Sequence, residues 1–289
     1  MVGGTLSSRG RSSLLAVAWC VWACVQPQTR QFYVTVMDDD RKAVTGLGAE
    51  DFALKDGGAR QPVVDSEPAD DPMQIAIVIA GFPAEDRAPL ATAVNAFASA
   101  VHASSPLSHA VLVLEGTALD WASRALLSGA RPVDRQVVVS GDHGVAAPLN
   151  TAVAELGSGR ATGRRVIVAF LYPSASQAGP VVELPSLIQS RKIALWTVEL
   201  APGRTTDAKS PPDPDAGSEA LDLAVQAGGG LRWRIDTPAG LETGARGVAA
   251  LLGTAQYVVT VELPVLFNGP VPIATRHDRG VVLVPMWSR

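Results

Sequence analysis

The sequence predicts an α/β chain: a mostly parallel central sheet with helices on both faces, joined by a small antiparallel β unit from the N- and C-terminal segments. Three observations predict it. Short Ile/Val-rich runs, QIAIVIAG from Gln74 to Gly81 and RRVIVAFL from Arg164, are apolar throughout, as strands buried on both faces are. Between such runs lie segments with apolar residues at helical spacing, and strands alternating with helices imply right-handed crossovers and a parallel sheet. After Ala255, three apolar alternating stretches follow without helices between them, which suits antiparallel pairing.

The elements read in order as follows. Arg9 and Arg11 precede LLAVAWCVWACV, a segment too short to span a bilayer comfortably as a mature helix, so residues 1–25 read as a secretory signal peptide. Residues 30–70 form an N-terminal β segment with Phe32, Val34 and Val36 on one face and an acidic turn at Asp38 to Asp40. The DSEPADDP stretch, Asp65 to Pro72, is acidic with two prolines and marks a boundary. Residues 73–254 form the main α/β domain. Asp86 to Ala103 places Leu90, Val94, Phe97 and Val101 on one helix face, and HAVLVLEG follows as a strand. Leu149, Val153 and Leu156 mark a second helix, closed by Gly157. Pro185 to Arg191 is a short helix before the strand IALWTVEL, and Pro202 to Gly217 is a surface loop rich in Pro and Asp. Ser218 reads as the N-cap of EALDLAVQA, and Thr237 with Pro238 opens the helix carrying Leu241, Val248 and Leu252. Residues 255–289 supply the strands YVVTVELP, VPIATR and GVVLVPMW, expected to pair with the N-terminal segment and cover open edges.

Composition narrows the function classes. Across 289 residues, 47% apolar and 18% charged residues exclude a disordered chain and permit a sizeable core. A formal net charge of -4 offers no basic footprint, so nucleic acid is not an expected partner. Both cysteines, Cys20 and Cys24, fall in or at the end of the leader, so the mature part offers no disulfide framework, thiol nucleophile or Cys-based zinc site. Val21-Trp22-Ala23-Cys24 faintly resembles a lipoprotein cleavage box. Plain secretion ranks ahead of lipidation at Cys24, with an uncleaved signal anchor third.

Four segments carry a family likeness: the V-T-G-L-x-x-x-D-F run from Val44 to Phe52, the K-D-G turn at Lys55, LDLAVQAGGGLRW from Leu221, and QYVVTVELP from Gln256. Together they resemble the secreted bacterial, acidobacterial-type, von Willebrand factor A-related family over nearly the whole mature chain. The resemblance implies a Rossmann-type A-like domain joined to a β segment. It also implies a divalent metal held by Asp-x-Ser-x-Ser after the first main strand, a Thr on a second loop and an Asp after the fourth strand. Carried over, these ligands fall on Ala80, Phe82, Ala84, Ala147 and Tyr172, none of which offers a hard oxygen of that kind. A one-residue shift brings Asp86, Thr151 or Ser174 nearer without restoring the set. The metal site reads as lost, and no cofactor is expected.

Other chemistry is sparse. Asp38 to Asp40 lack the Gly and final Glu of a calcium loop and read as a solvated turn. Ser140, Asp142 and His143 hold the parts of a hydrolase triad, but adjacent in sequence and without a nucleophile elbow. His102, His109 and His277 show no zinc spacing, and Gly228 to Gly230 follow a helix rather than a strand. Trp196, Trp233 and Trp287 lie in expected strands, where packing is the default. Phe82 and Tyr172 share one sheet edge, where they either plug the vacated site or, with Asp142 and His143, present a surface to a partner. The expected function is thus a non-enzymatic, secreted or periplasmic protein-interaction module. Its partner would be an unidentified protein in the cell envelope or outside, and it would touch a membrane only through an uncleaved signal or a lipidated Cys24. The alternatives are an envelope hydrolase using the Asp142/His143 loop and an inactive paralogue.

Overall fold

The structure is a computed structural model and describes residues 28–56, 59–115, 135–139, 144–158, 163–172, 183–200, 216–263, 271–276 and 280–289. Strands β1 (Gln28–Met37), β2 (Phe52–Asp56), β3 (Ala59–Pro62) and β4 (Asp65–Pro68) come first. The alternating part follows with β5 (Met73–Ala80), α1 (Arg87–Ser104), β6 (His109–Glu115), β7 (Arg135–Val139), α2 (Ala146–Ser158) and β8 (Arg164–Leu171). It continues with α3 (Leu184–Arg191), β9 (Ile193–Leu200), α4 (Ala216–Ala227), β10 (Arg232–Ile235) and α5 (Leu241–Thr254). Strands β11 (Gln256–Leu263), β12 (Ile273–Thr275) and β13 (Val281–Leu283) close the chain.

Six strands, β10-β9-β8-β5-β6-β7, form one sheet in which every recorded pairing is parallel. Numbered within the sheet from the β7 side, the order is 3-2-1-4-5-6, that of doubly wound sheets. The period-2 alternation of the central strands sorts two cores. Ile75, Ile77 and Ile79 of β5, Val166, Val168 and Phe170 of β8, and Trp196 of β9 meet α1 and α5 on one face. Ala76, Val78 and Ala80 of β5, with Ile167, Ala169 and Leu171 of β8, meet α2, α3 and α4 on the other. Each fully buried Ile, Leu or Phe contributes roughly 1.5–3 kcal/mol, so the uninterrupted apolar character of β5 and β8 is the main thermodynamic reason this sheet forms.

The terminal segments interleave. β1 lies between β11 and β13, and β11 also pairs with β4, giving the order β13-β1-β11-β4, all antiparallel. A second antiparallel sheet, β12-β2-β3, packs with the first around Phe32, Val34, Phe52, Tyr257 and Val259. The C-terminal strands thus pair with the N-terminal segment as expected, but in two sheets, since β11 and β13 join β1 while VPIATR joins β2.

Three local expectations are corrected. The boundary stretch contains strand β4, whose Asp65, Glu67 and Pro68 suit an edge position where charge and proline block further pairing. Helix α4 already starts at Ala216, so Ser218 lies inside it and not at its N-cap. Trp287 is buried but follows β13 instead of sitting in a strand.

Gly228 to Gly230 end α4 in a turn that presses against β9: a Cβ at Gly230 would strike the Leu195 carbonyl oxygen, and Gly229 sits at φ +66°. The turn at Asp38 to Lys42 closes with the Lys42 amide donating to Asp38 Oδ1 at 2.7 Å, and Arg41 lies over the Trp233 ring at 5.6 Å.

A buried arginine ties the β unit to the parallel sheet. Arg164, only 4% exposed, donates through Nε and a terminal nitrogen to the Asp71 carbonyl at 3.0 and 2.9 Å. Its other terminal nitrogen donates to the Leu252 carbonyl at 3.0 Å and to Gln256 Oε1 at 2.6 Å. Gln256 in turn donates to Thr35 Oγ1 at 3.1 Å, so β8, α5, β11 and β1 meet at one guanidinium. No helix among the described residues is long and apolar enough to cross a membrane.

Candidate functional site

In an open doubly wound sheet the ligand crevice lies beyond the carboxyl ends of the strands, where the winding direction reverses. Here that point falls between β5 and β8, because β5 pairs with β6 on one side and β8 on the other. β5 ends on Ala80, buried and paired with Leu171, and the Tyr172 amide donates to the Ala80 carbonyl at 3.2 Å. Gly81 turns the chain at φ +79°, a conformation that favours glycine, and its amide donates to Glu115 Oε2 at 3.1 Å.

Phe82 and Tyr172 then meet across this gap. Their ring centroids are 5.7 Å apart at an interplanar angle of 68°, an edge-to-face contact, and both rings lie half-buried against the core shared with α1 and α5. The pair therefore anchors to the core and keeps part of its surface in solvent. Ala84 is exposed at the start of a 3-10 turn, Ala84–Asp86, that leads into α1. Ala147 is exposed on the first turn of α2, while its neighbour Ala146 is the residue that packs on the Ala80 face. The structure thus brings Ala80, Phe82 and Tyr172 together and leaves Ala84 and Ala147 on flanking solvent-facing turns.

Asp86 stands as the N-cap of α1 without a side-chain capping bond, and Thr151 is half-buried within α2. Asp142 and His143, with Ser140, Ser174, His277, both cysteines and the leader 1–25, lie outside the described residues. Among the described residues, no three of His, Cys, Asp and Glu cluster as a metal site.

Most of the charged clusters that the structure does bring together have structural roles. Arg232 makes a two-pronged contact with Glu199, at 2.7 Å to each oxygen, and reaches Asp222 at 2.6 Å. Burial opposes the charge of Arg232, but the hydrogen bonds and attraction of Glu199 and Asp222 prevail and its pKa rises. This network pins β10 and α4 to β9 (Arg232, Asp222, Glu199).

Sequence reasoning missed two features. Glu115, the last residue of a strand that is apolar from Ala110 to Leu114, accepts from the Gly81 turn; a charged residue ending HAVLVLE was its signal. The assembly around Asp71 and Arg164 left no signal at all, since its partners lie far apart in sequence.

No family model matches the chain, and no curated protein matches it. Among solved structures it is similar to the crystal structure of the cypemycin decarboxylase CypD, at 14% identity and a TM-score of 0.36, over 64% of this chain and 96% of that one. At that level neither decarboxylation nor any other activity transfers to this chain. One expectation is nevertheless corrected. Sheets of this kind host enzymes as well as binding modules, so the expectation that the chain is not an enzyme is withdrawn.

Proposed function

We propose that this chain is a secreted or periplasmic protein-interaction module built on a von Willebrand factor A-like domain. In this reading Phe82 and Tyr172 occupy the sheet edge where family members with an intact site hold a metal. The edge-on contact between these two rings, at the carboxyl ends of the two central strands, is the observation that carries the proposal. A metal-holding edge binds by letting a partner carboxylate complete the metal's shell. An edge filled by aromatic rings binds instead through shape and apolar contact, and aromatic anchors of this kind supply much of the energy at protein interfaces. The apolar leader, with Arg9 and Arg11 before it, supports export. The partner is an unidentified protein of the cell envelope or exterior.

A photo-crosslinking amino acid at position 82, with the same group at exposed Leu107 as the control, tests this in the envelope and secreted fractions of the native host. A discrete crosslinked protein at 82 and none at 107 is the expected result. Identical patterns at both positions would refute a partner surface at this edge.

A further inference from the structure

The opposite edge of the parallel sheet, at the amino ends of β8 and β9, opens into a cleft of about 370 Å³ between the sheet and the β unit. Its walls are unusually cationic for a chain of net charge -4: Arg164, Arg165, Lys192 and Arg289 line it, against the single carboxylate side chain of Asp71. That carboxylate is already engaged. Its Oδ2 accepts from the Tyr33 hydroxyl at 2.7 Å and pairs with Arg289 at 3.0 Å, and the Arg289 guanidinium also lies over the Tyr33 ring at 5.4 Å.

The remaining three cations keep an excess of positive charge. Arg164 is buried, and its recorded acceptors are neutral: two backbone carbonyls and the Gln256 amide. Arg165 is half-buried and donates to the Arg191 carbonyl at 3.0 Å, and Lys192, held at φ +55° just after α3, is exposed; neither pairs with a carboxylate among the described residues. Trp287 lines the same cleft and is 8% exposed, so its ring forms part of the wall. Tyr33 stands edge-on to Trp287, ring centroids 6.4 Å apart, so aromatic walls flank the cationic rim.

We propose that this cleft binds a small organic oxyanion, a carboxylate or a phosphate monoester on a compact aromatic or apolar body. Arg165 and Lys192 hold the anion, and Trp287 supplies an aromatic wall. The size of the cleft suits a small molecule. The planar fork of Arg165 matches both oxyanions, and the ammonium of Lys192 adds charge without fixing geometry.

Calorimetric titration of the purified chain at low salt with benzoate, phenyl phosphate and neutral phenol tests the proposal. One-to-one binding of at least one anion is expected, weakening as NaCl is raised, with phenol silent; the tighter anion identifies the oxyanion source. The double substitution Arg165→Gln with Lys192→Gln is expected to weaken binding by about tenfold or more at an unchanged Tm. Arg165→Gln alone and Lys192→Gln alone are each expected to weaken binding severalfold and read the site independently should the double variant fail to fold. The proposal is overturned if neither anion binds, if phenol binds as well as benzoate, or if the substituted chains bind like the parent chain.

Discussion

The amide of Tyr172 donates to the carbonyl of Ala80 at 3.2 Å, which sets the Tyr172 ring down at the gap between β5 and β8, edge-on to Phe82. The backbone thus fixes the second ring of the pair, and the Gly81 turn delivers the first. Because both rings pack on the core while staying half-exposed, truncating either to Ala is expected to cost roughly 1–2 kcal/mol, less than a full core deletion. The double variant should reveal a coupling of about 0.5–1.5 kcal/mol in a urea-unfolding cycle. Strict additivity would show that the rings stabilise the edge separately.

Arg164 is the junction through which β8, α5 and the β unit share hydrogen bonds. Arg164→Met removes the donors and leaves buried carbonyls without them, so chemical denaturation should show a loss of about 3 kcal/mol or more. Arg164→Lys should recover only part of it, since one ammonium cannot reach the Asp71, Leu252 and Gln256 oxygens in the fork geometry the guanidinium uses.

Much of this fold was legible in the sequence because burial on both faces writes itself as unbroken apolar runs. β5, β6, β8 and β9 fall on the expected segments, and α1 carries Leu90, Val94, Phe97 and Val101 inward as its spacing required. Strand β4 was hidden because an edge strand tolerates Asp, Glu and Pro, residues that read as linker. The separate β12-β2-β3 sheet was hidden because three-residue strands carry almost no periodicity, and pairing partners are not encoded locally. At the sheet edge, Phe82 and Tyr172 were legible as a pair through the strand ends they follow. The cationic cleft was not, since Tyr33, Asp71, Arg164 and Trp287 meet only after four distant segments have folded.

Two glycines should respond oppositely to the same substitution. Gly230→Ala drives a Cβ into the Leu195 carbonyl, a backbone atom that cannot yield without moving β9, and should cost about 2 kcal/mol or more or prevent folding. Gly157→Ala, within α2 and facing only the mobile end of the Arg191 side chain, should raise stability by up to about 1 kcal/mol. Thermal unfolding of the two variants beside the parent chain checks the contrast.

Stability should fall in alkali through the tyrosines. Burial, then the bond to Asp71, pushes the Tyr33 hydroxyl well above its usual 10.0, and burial also raises Tyr257. A raised folded pKa means that the unfolded chain releases these protons first, so the stabilisation is complete below the ordinary value and declines as pH climbs past it. Tm is therefore expected to drop above about pH 10. Tyr33→Phe with Tyr257→Phe should start lower, having lost the hydroxyl bonds to Asp71 and Val44, and show a shallower alkaline slope.

The most direct measurement is calorimetric titration of the purified chain with Mg²⁺, Mn²⁺ and Ca²⁺, paired with thermal unfolding in chelator. If Phe82 and Tyr172 fill the edge where a metal would sit, no stoichiometric heat appears and chelator leaves Tm unchanged. One divalent ion bound per chain, abolished by substitutions at this sheet edge, would contradict that arrangement and restore metal-dependent adhesion as the mechanism.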